Sequence, residues 1–309
     1  MAIKLTGLHF LLTYRCTHAC DHCFVWGSPD QTGTMTLAQV RDILRQAREV
    51  GTIEWIYFEG GEPFLFYMLL SDSVRAASEM GFKVGIVTNG YWATSTDDAA
   101  EYLRPLAEQV GDLSVSSDLY HADTENSAES RHACAAAAKL EIPTDVISIA
   151  QPNVLDAPCS QGKLPAGQSA VRYRGRAAVQ LTGGAARRLW SSFTECPYEN
   201  LRDPGRVHVD PCGYVHVCQG IAIGNVFKTS LARICADFDP DRHPITAPLL
   251  EGGPARLARR YSLPYSSSYA DACHLCFELR SILRRRFPDA LAPDQMYGVP
   301  DTGRTAASR

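Results

Sequence analysis

Three cysteines packed into one short stretch, Cys16-Thr-His-Ala-Cys20-Asp-His-Cys23, constrain this chain more than any other feature. Spaced Cys-x3-Cys-x2-Cys, they present three thiolates from a single loop. Three thiolates can hold three irons of a [4Fe–4S] cube and leave the fourth iron without a protein ligand, whereas electron-carrying clusters of the ferredoxin kind take four cysteines. A site with an open position is one where something else binds and is changed. The competing readings are a zinc loop, with His18 or His22 as fourth ligand, and three unrelated thiols.

The run Leu8 to Tyr14 (LHFLLTY) is apolar and aromatic and reads as a buried strand. The loop therefore lies just past a strand's carboxyl end, where α/β folds place chemistry. Thr36-Leu-Ala-Gln39 has the form of a capping box and opens a helix to about Val50. A second strand, Ile53 to Phe58, runs into Glu59-Gly60-Gly61-Glu62-Pro63. A Gly-Gly pair at a strand end lets backbone approach a ligand and offers free N–H groups. Glu62 adds a carboxylate able to hold an ammonium.

The alternation continues. Phe64 to Met80 has helical period, and Lys83 to Val87 reads as a strand. Thr94 or Ser95 caps a helix reaching about Gln109, with a break at Pro105. Asp112 to Ser116 is a strand, Ala128 to Leu140 an alanine-rich helix and Thr144 to Ala150 a strand. Repeated strand–helix units imply a parallel sheet with right-handed crossovers. The expected fold class is α/β, a partial (β/α)6 barrel over residues 1–185, open on one side.

The cysteine loop after strand one and Gly-Gly-Glu-Pro after strand two resemble the radical S-adenosylmethionine superfamily. The resemblance implies that Cys16, Cys20 and Cys23 hold a [4Fe–4S] cluster whose open iron is chelated by S-adenosylmethionine. It also implies that Gly60, Gly61 and Glu62 bind the cofactor's ammonium. Asn89 ends strand three, and Ser116 and Asp118 end strand four; these are expected at the nucleoside, with Ser116 ahead of Asp118 for the ribose. Ordinary turn chemistry is the other reading for them. His121, just beyond, is given no role.

Residues 150–170 read as a loop that contains Cys159. Val171-Arg-Tyr-Arg-Gly-Arg176 reads as a strand running into a basic turn. Arg172, Arg174 or Arg176 is expected to bind the cofactor carboxylate or a substrate anion, Arg174 being the residue assigned. Solvated arginines at a sheet edge are the alternative. Arg206 to Val217 reads as a hairpin turning at Cys212-Gly213, aiming Cys218 at the pair Cys273-His-Leu-Cys276. With Cys196 these make four ligands. This set resembles the SPASM or twitch extension, with Cys212 in a variable turn position. It implies one auxiliary [4Fe–4S] cluster held by Cys196, Cys218, Cys273 and Cys276, in a small domain over residues 186–290. Zinc is the rival occupant. A basic helix from Asp271 to Phe287 carries Arg280, Arg284, Arg285 and Arg286, and reads as a solvated face or a docking site for an acidic electron donor. Residues 291–309 read as a tail, partly disordered from about Gly298.

The 309 residues, 45% apolar and 21% charged, suffice for a barrel-sized domain plus a smaller one. A formal charge of −4 argues against nucleic acid as main partner. No apolar run approaches the roughly 20 residues that span a bilayer, and no secretory signal is evident. Eleven cysteines in such a chain read as thiols and metal ligands, so the expected compartment is the cytoplasm. The resemblance implies reductive cleavage of S-adenosylmethionine to a 5′-deoxyadenosyl radical that abstracts a hydrogen atom from a substrate carbon. Peptide or protein modification is the expected setting, with the auxiliary cluster accepting an electron and flavodoxin or ferredoxin as donor. With no peptide-clasp domain ahead of the loop, a peptide would be recognised by the barrel or by a separate protein. The alternatives are a dehydrogenase or epimerase acting on a sugar or aminocyclitol, and a non-catalytic iron–sulfur or zinc protein for electron transfer. Cys159 and Cys235 are the candidate hydrogen-atom donors.

Overall fold

The computed structural model describes residues 3–299. Strand and helix alternate through β1 (Gly7–Leu11), α1 (Leu37–Val50), β2 (Trp55–Glu59), α2 (Tyr67–Glu79), β3 (Lys83–Thr88), α3 (Thr96–Leu103), β4 (Val110–Ser116), α4 (Ala128–Lys139), β5 (Thr144–Ile149) and β6 (Gly167–Ser169). There follow α5 (Ala177–Gln180), β7 (Arg188–Leu189), β8 (Arg206–Val209), β9 (Tyr214–Cys218), β10 (Ile221–Asn225), α6 (Leu231–Asp237), α7 (Thr246–Tyr261), β11 (Ser268–Tyr269) and α8 (Ala272–Leu283). One sheet holds nine strands in the order β10-β9-β8-β1-β2-β3-β4-β5-β6. β1 to β6 are parallel, as the alternation requires. β8 joins the free side of β1 in parallel register, and β9 and β10 follow antiparallel. The hairpin expected in a second domain thus continues the sheet of the first, covering a strand edge that would otherwise present unpaired backbone groups.

Every residue of β1 is buried, as in parallel sheets covered on both faces. Phe10 and Phe58 meet on the helix side, ring centroids 5.3 Å apart. α1 lays Val40, Ile43, Leu44 and Ala47 there, a one-face spacing. Its capping box forms as expected: Gln39 N donates to Thr36 Oγ1 at 3.2 Å and Thr36 N to Gln39 Oε1 at 2.8 Å. Thr36→Ala is expected to cost about 1 kcal/mol, read as a lower urea midpoint at unchanged m-value.

Several expectations are corrected. The helix expected from Phe64 starts as a 3-10 turn, Pro63–Phe66, and becomes α-helical only at Tyr67. The sixth parallel strand is Gly167–Ser169, inside the expected loop, and not Val171–Arg176. The alternation in Val-Arg-Tyr-Arg imitates a strand, but these arginines are largely buried and the backbone bends to reach their partners, with Arg174 N donating to Arg172 O at 2.7 Å. The basic helix ends at Leu283, and Arg280 is fully buried. It donates to the Gln219 carbonyl and to Tyr297 Oη and so belongs to no solvated face or docking surface, whereas Arg285 and Arg286, just past the helix, are exposed. The expected tail is packed through Tyr297: a 3-10 turn at Asp294–Tyr297 buries Gln295, Met296 and Tyr297, and Val299 beyond it is exposed. The rest of that tail lies outside the described residues.

Candidate active site

A cavity of about 220 Å³ opens at the carboxyl ends of the parallel strands. Cys16, Cys20 and Cys23 form part of its wall, facing Gly60, Gly61 and Asn89. The segments beyond β1 and β2 stay laced together: Leu12 N donates to Glu59 O at 2.8 Å, Gly61 N to Thr13 O at 2.6 Å and Glu62 N to Arg15 O at 2.9 Å. A Cβ on Gly60 would lie 2.4 Å from Thr13 O, and one on Gly61 2.1 Å from Arg15 O. Glycine at both positions is what allows this approach.

The sulfurs are supplied with donors. Cys16 Sγ accepts from His18 N at 3.4 Å and Asn89 Nδ2 at 3.5 Å, and Cys23 Sγ accepts from Gly27 N at 3.2 Å. Burial pushes the Cys16 thiol up to about 11 and Cys20 higher, with the neighbouring cysteines adding to it. Crowded thiols flanked by N–H donors fit a cationic iron–sulfur centre, which takes them as thiolates and uses such hydrogen bonds. The two histidines considered as zinc ligands turn elsewhere: His18 Nδ1 contacts Asn89 Nδ2 at 2.9 Å, and His22 Nε2 contacts Asp118 at 3.3 Å.

Glu62 is fully buried and takes three donors: Phe64 N at 3.0 Å, Thr88 Oγ1 at 2.8 Å and Asn89 N at 2.7 Å. Burial outweighs them and pushes its carboxyl up to about 7. A carboxyl raised on folding binds its proton more tightly in the folded chain, so stability is full below its unfolded value and falls as pH rises through 7. Between pH 5 and pH 8 this group alone is expected to remove about 3 kcal/mol from the ligand-free protein. Melting temperature against pH is expected to be flatter in Glu62→Gln. A bound ammonium favours the ionised form and opposes the loss.

Asp118 is committed within the protein. Oδ1 meets His121 Nδ1 at 2.8 Å and Tyr120 N at 3.0 Å, and Oδ2 meets His22 Nε2 and Ile149 N. Burial would raise its carboxyl, but the two imidazoles outweigh this and hold it far below the usual range. Asp118 thereby ties the cysteine loop to the ends of β4 and β5, while Ser116 also faces the cavity.

The arginines divide. Arg176 clamps the cysteine loop, donating to Cys20 O at 2.6 Å and Gly27 O at 2.8 Å, while Arg176 N donates to Cys23 O at 2.9 Å. Gly175 permits this contact: its φ is +59°, and a Cβ would lie 2.6 Å from Cys23 O. Arg172 donates to Ser160 O and Gly162 O. Arg174 reaches Glu199 Oε1 at 3.0 Å and Cys218 Sγ at 3.7 Å. It therefore stands between the large cavity and a second of about 20 Å³, whose wall includes Cys196, Cys218, Cys273 and Cys276. Cys212 is exposed on the hairpin turn. Cys159 is exposed and Cys235 is buried in α6, and neither lines either cavity.

Two polar groups on the cavity side of the sheet escape a reading of motifs. His9, Glu59 and His208 converge. Tyr57 Oη donates to Asp112 at 2.7 Å, with Lys163 Nζ 2.9 Å from the same hydroxyl. Burial pushes His208 down to about 4, leaving it neutral. For Glu59 burial is outweighed by the two imidazoles, and the carboxylate stays ionised. The available signal was a polar residue breaking an apolar strand: His9 in LHFLLTY and His208 in RVHVD.

The family profile described as Radical SAM superfamily matches residues 10–147. A Bacillus subtilis (strain 168) protein named for peptide biosynthesis, YydG, is 32% identical over 36% of this chain and 35% of its own length. A Selenomonas ruminantium S-adenosylmethionine-dependent nucleotide dehydratase is 37% identical over 29% of this chain and 31% of its own. The chain thus spans about a third of the length of these curated relatives. A solved structure described as native anSMEcpe with bound AdoMet and Cp18Cys peptide superposes with a TM-score of 0.50 at 12% identity, over 92% of this chain and 97% of that one. At that identity the likeness is one of fold. Residues 10–147, with the cysteine loop and the Gly-Gly-Glu-Pro segment inside them, thus form a radical S-adenosylmethionine domain.

Proposed function

We propose that the chain is a radical S-adenosylmethionine enzyme that modifies a peptide or protein. Cys16, Cys20 and Cys23 would hold the [4Fe–4S] cluster. Gly60, Gly61 and Glu62 would take the cofactor's ammonium, and Asn89 and Ser116 would stand at its nucleoside. Once bound and supplied with one electron, cluster and cofactor provide a 5′-deoxyadenosyl radical able to remove a hydrogen atom from an unactivated carbon. The chain's own residues bind, orient and keep water out. Cys196, Cys218, Cys273 and Cys276 would hold an auxiliary [4Fe–4S] cluster that accepts an electron from the substrate. Flavodoxin or ferredoxin would be the donor to the first.

The observation that carries this reading is the lacing of Gly61 and Glu62 onto Thr13 and Arg15, which sets a Gly60-Gly61 backbone cradle beside three cysteines in one cavity wall, with the Glu62 carboxylate buried next to it. The peptide setting leans on the Bacillus subtilis relative's name. Among the described residues no helix is long and apolar enough to cross a membrane. The test is anaerobic reconstitution followed by dithionite and S-adenosylmethionine. Accumulation of 5′-deoxyadenosine is the expected result, with a mass change in a small precursor peptide encoded beside the gene. Fully iron-loaded protein that forms none would leave an electron carrier as the better reading. Product formed only with a sugar or aminocyclitol would overturn the peptide assignment.

A further inference from the structure

Three adjacent strands bring one donor set to the cavity side of the sheet. His9 on β1 is in register with His208 on β8, and Glu59 stands two residues beyond Tyr57, the β2 neighbour of His9. Alternate strand residues share a face, so the three side chains project together. All three line the large cavity. One ligand-type atom of each lies within 4.8 Å of the other two. Glu59 Oε1 is 3.1 Å from His9 Nδ1 and 2.9 Å from His208 Nε2. We propose that His9, Glu59 and His208 form a site for one divalent first-row transition-metal ion, separate from both cysteine sets.

Two imidazoles and one carboxylate suit zinc, iron or manganese and leave coordination positions open. Here those positions face the cavity, where an oxygen or nitrogen of a substrate can complete the shell. A second trio, His22, Asp118 and His121, meets the same distance test but is wired differently. Asp118 also accepts two backbone N–H groups and is used up as a bracket. Among the described residues, the Glu59 carboxylate meets only the two imidazoles. Arg206, which also lines the cavity, reaches Glu199 Oε2 at 3.6 Å instead. The geometry is held in advance: the His9 ring stacks on Tyr57 at 4.7 Å and 22°, and Tyr57 is tied to Asp112 and Lys163.

The site is independent of S-adenosylmethionine cleavage and is tested without it. Cluster-reconstituted protein is titrated anaerobically with Mn²⁺, and free ion is followed by its room-temperature EPR signal. One equivalent is expected to bind per chain. His208→Ala and the near-isosteric Glu59→Gln are each expected to weaken binding at least about tenfold, with iron content and circular dichroism unchanged. His132→Gln, on α4, is the control and keeps wild-type binding. Absence of saturable Mn²⁺ binding, or equal binding in wild type and Glu59→Gln, would overturn the site and leave a metal-free hydrogen-bonded trio. If His208→Ala fails to fold, Glu59→Gln decides.

Discussion

In Cys20→Ala, 5′-deoxyadenosine formation is expected to fall by more than the roughly 10–100-fold that loss of an outer-shell partner costs at a metal site. On a two-cluster pattern, iron falls from about eight to about four per chain. Cys20 lies between the other two loop cysteines and is buried beside them, so no nearby thiol can replace it. The complementary change, Cys218→Ala, is expected to remove the other four irons or so while cofactor cleavage persists. Iron and sulfide analysis with product chromatography checks both. Wild-type protein holding about four irons plus zinc would assign the second cysteine set to zinc.

The second large effect is expected from Arg176→Ala. Two charge-assisted hydrogen bonds to buried carbonyls of the cysteine loop disappear, each worth about 1.5–3 kcal/mol. A loss of about 3–6 kcal/mol is a large part of a domain's roughly 5–15 kcal/mol, but it falls on a loop and not on the sheet. The loop is therefore expected to loosen before the fold does. Cluster occupancy should drop at a modest change in melting temperature, and amide exchange at residues 16–27 should accelerate. Arg176→Lys should not rescue, because an ammonium lacks the planar fork that reaches Cys20 and Gly27 together. Full cluster occupancy in Arg176→Ala would show that the clamp does not hold the loop.

The sequence foretold most of the barrel, since period and capping act locally. Thr36, Ser95 and Pro105 mark their helix boundaries by chemistry confined to a few residues. The sequence singled out two sets of cysteines, and the fold brings each set to the wall of one cavity. What escaped depends on partners distant in sequence. Arg280 looks solvated until Gln219 and Tyr297 are brought to it. Asp118 looks free for a ribose until His22 and His121 claim it. His9 and His208 become neighbours only because β8 pairs with β1, a register that no local pattern encodes.

That pairing also bears on how the chain can be divided. β1 is buried along its whole length, and one of its two flanks is closed by residues almost 200 positions away. A polypeptide stopped at residue 185 would keep the first cysteine loop but lose the strand that seals this flank. Its exposed backbone donors and acceptors would seek another copy, giving sticky, self-associating material instead of a working half. The late hairpin is a zip fastener for the barrel, and the two halves stand or fall together.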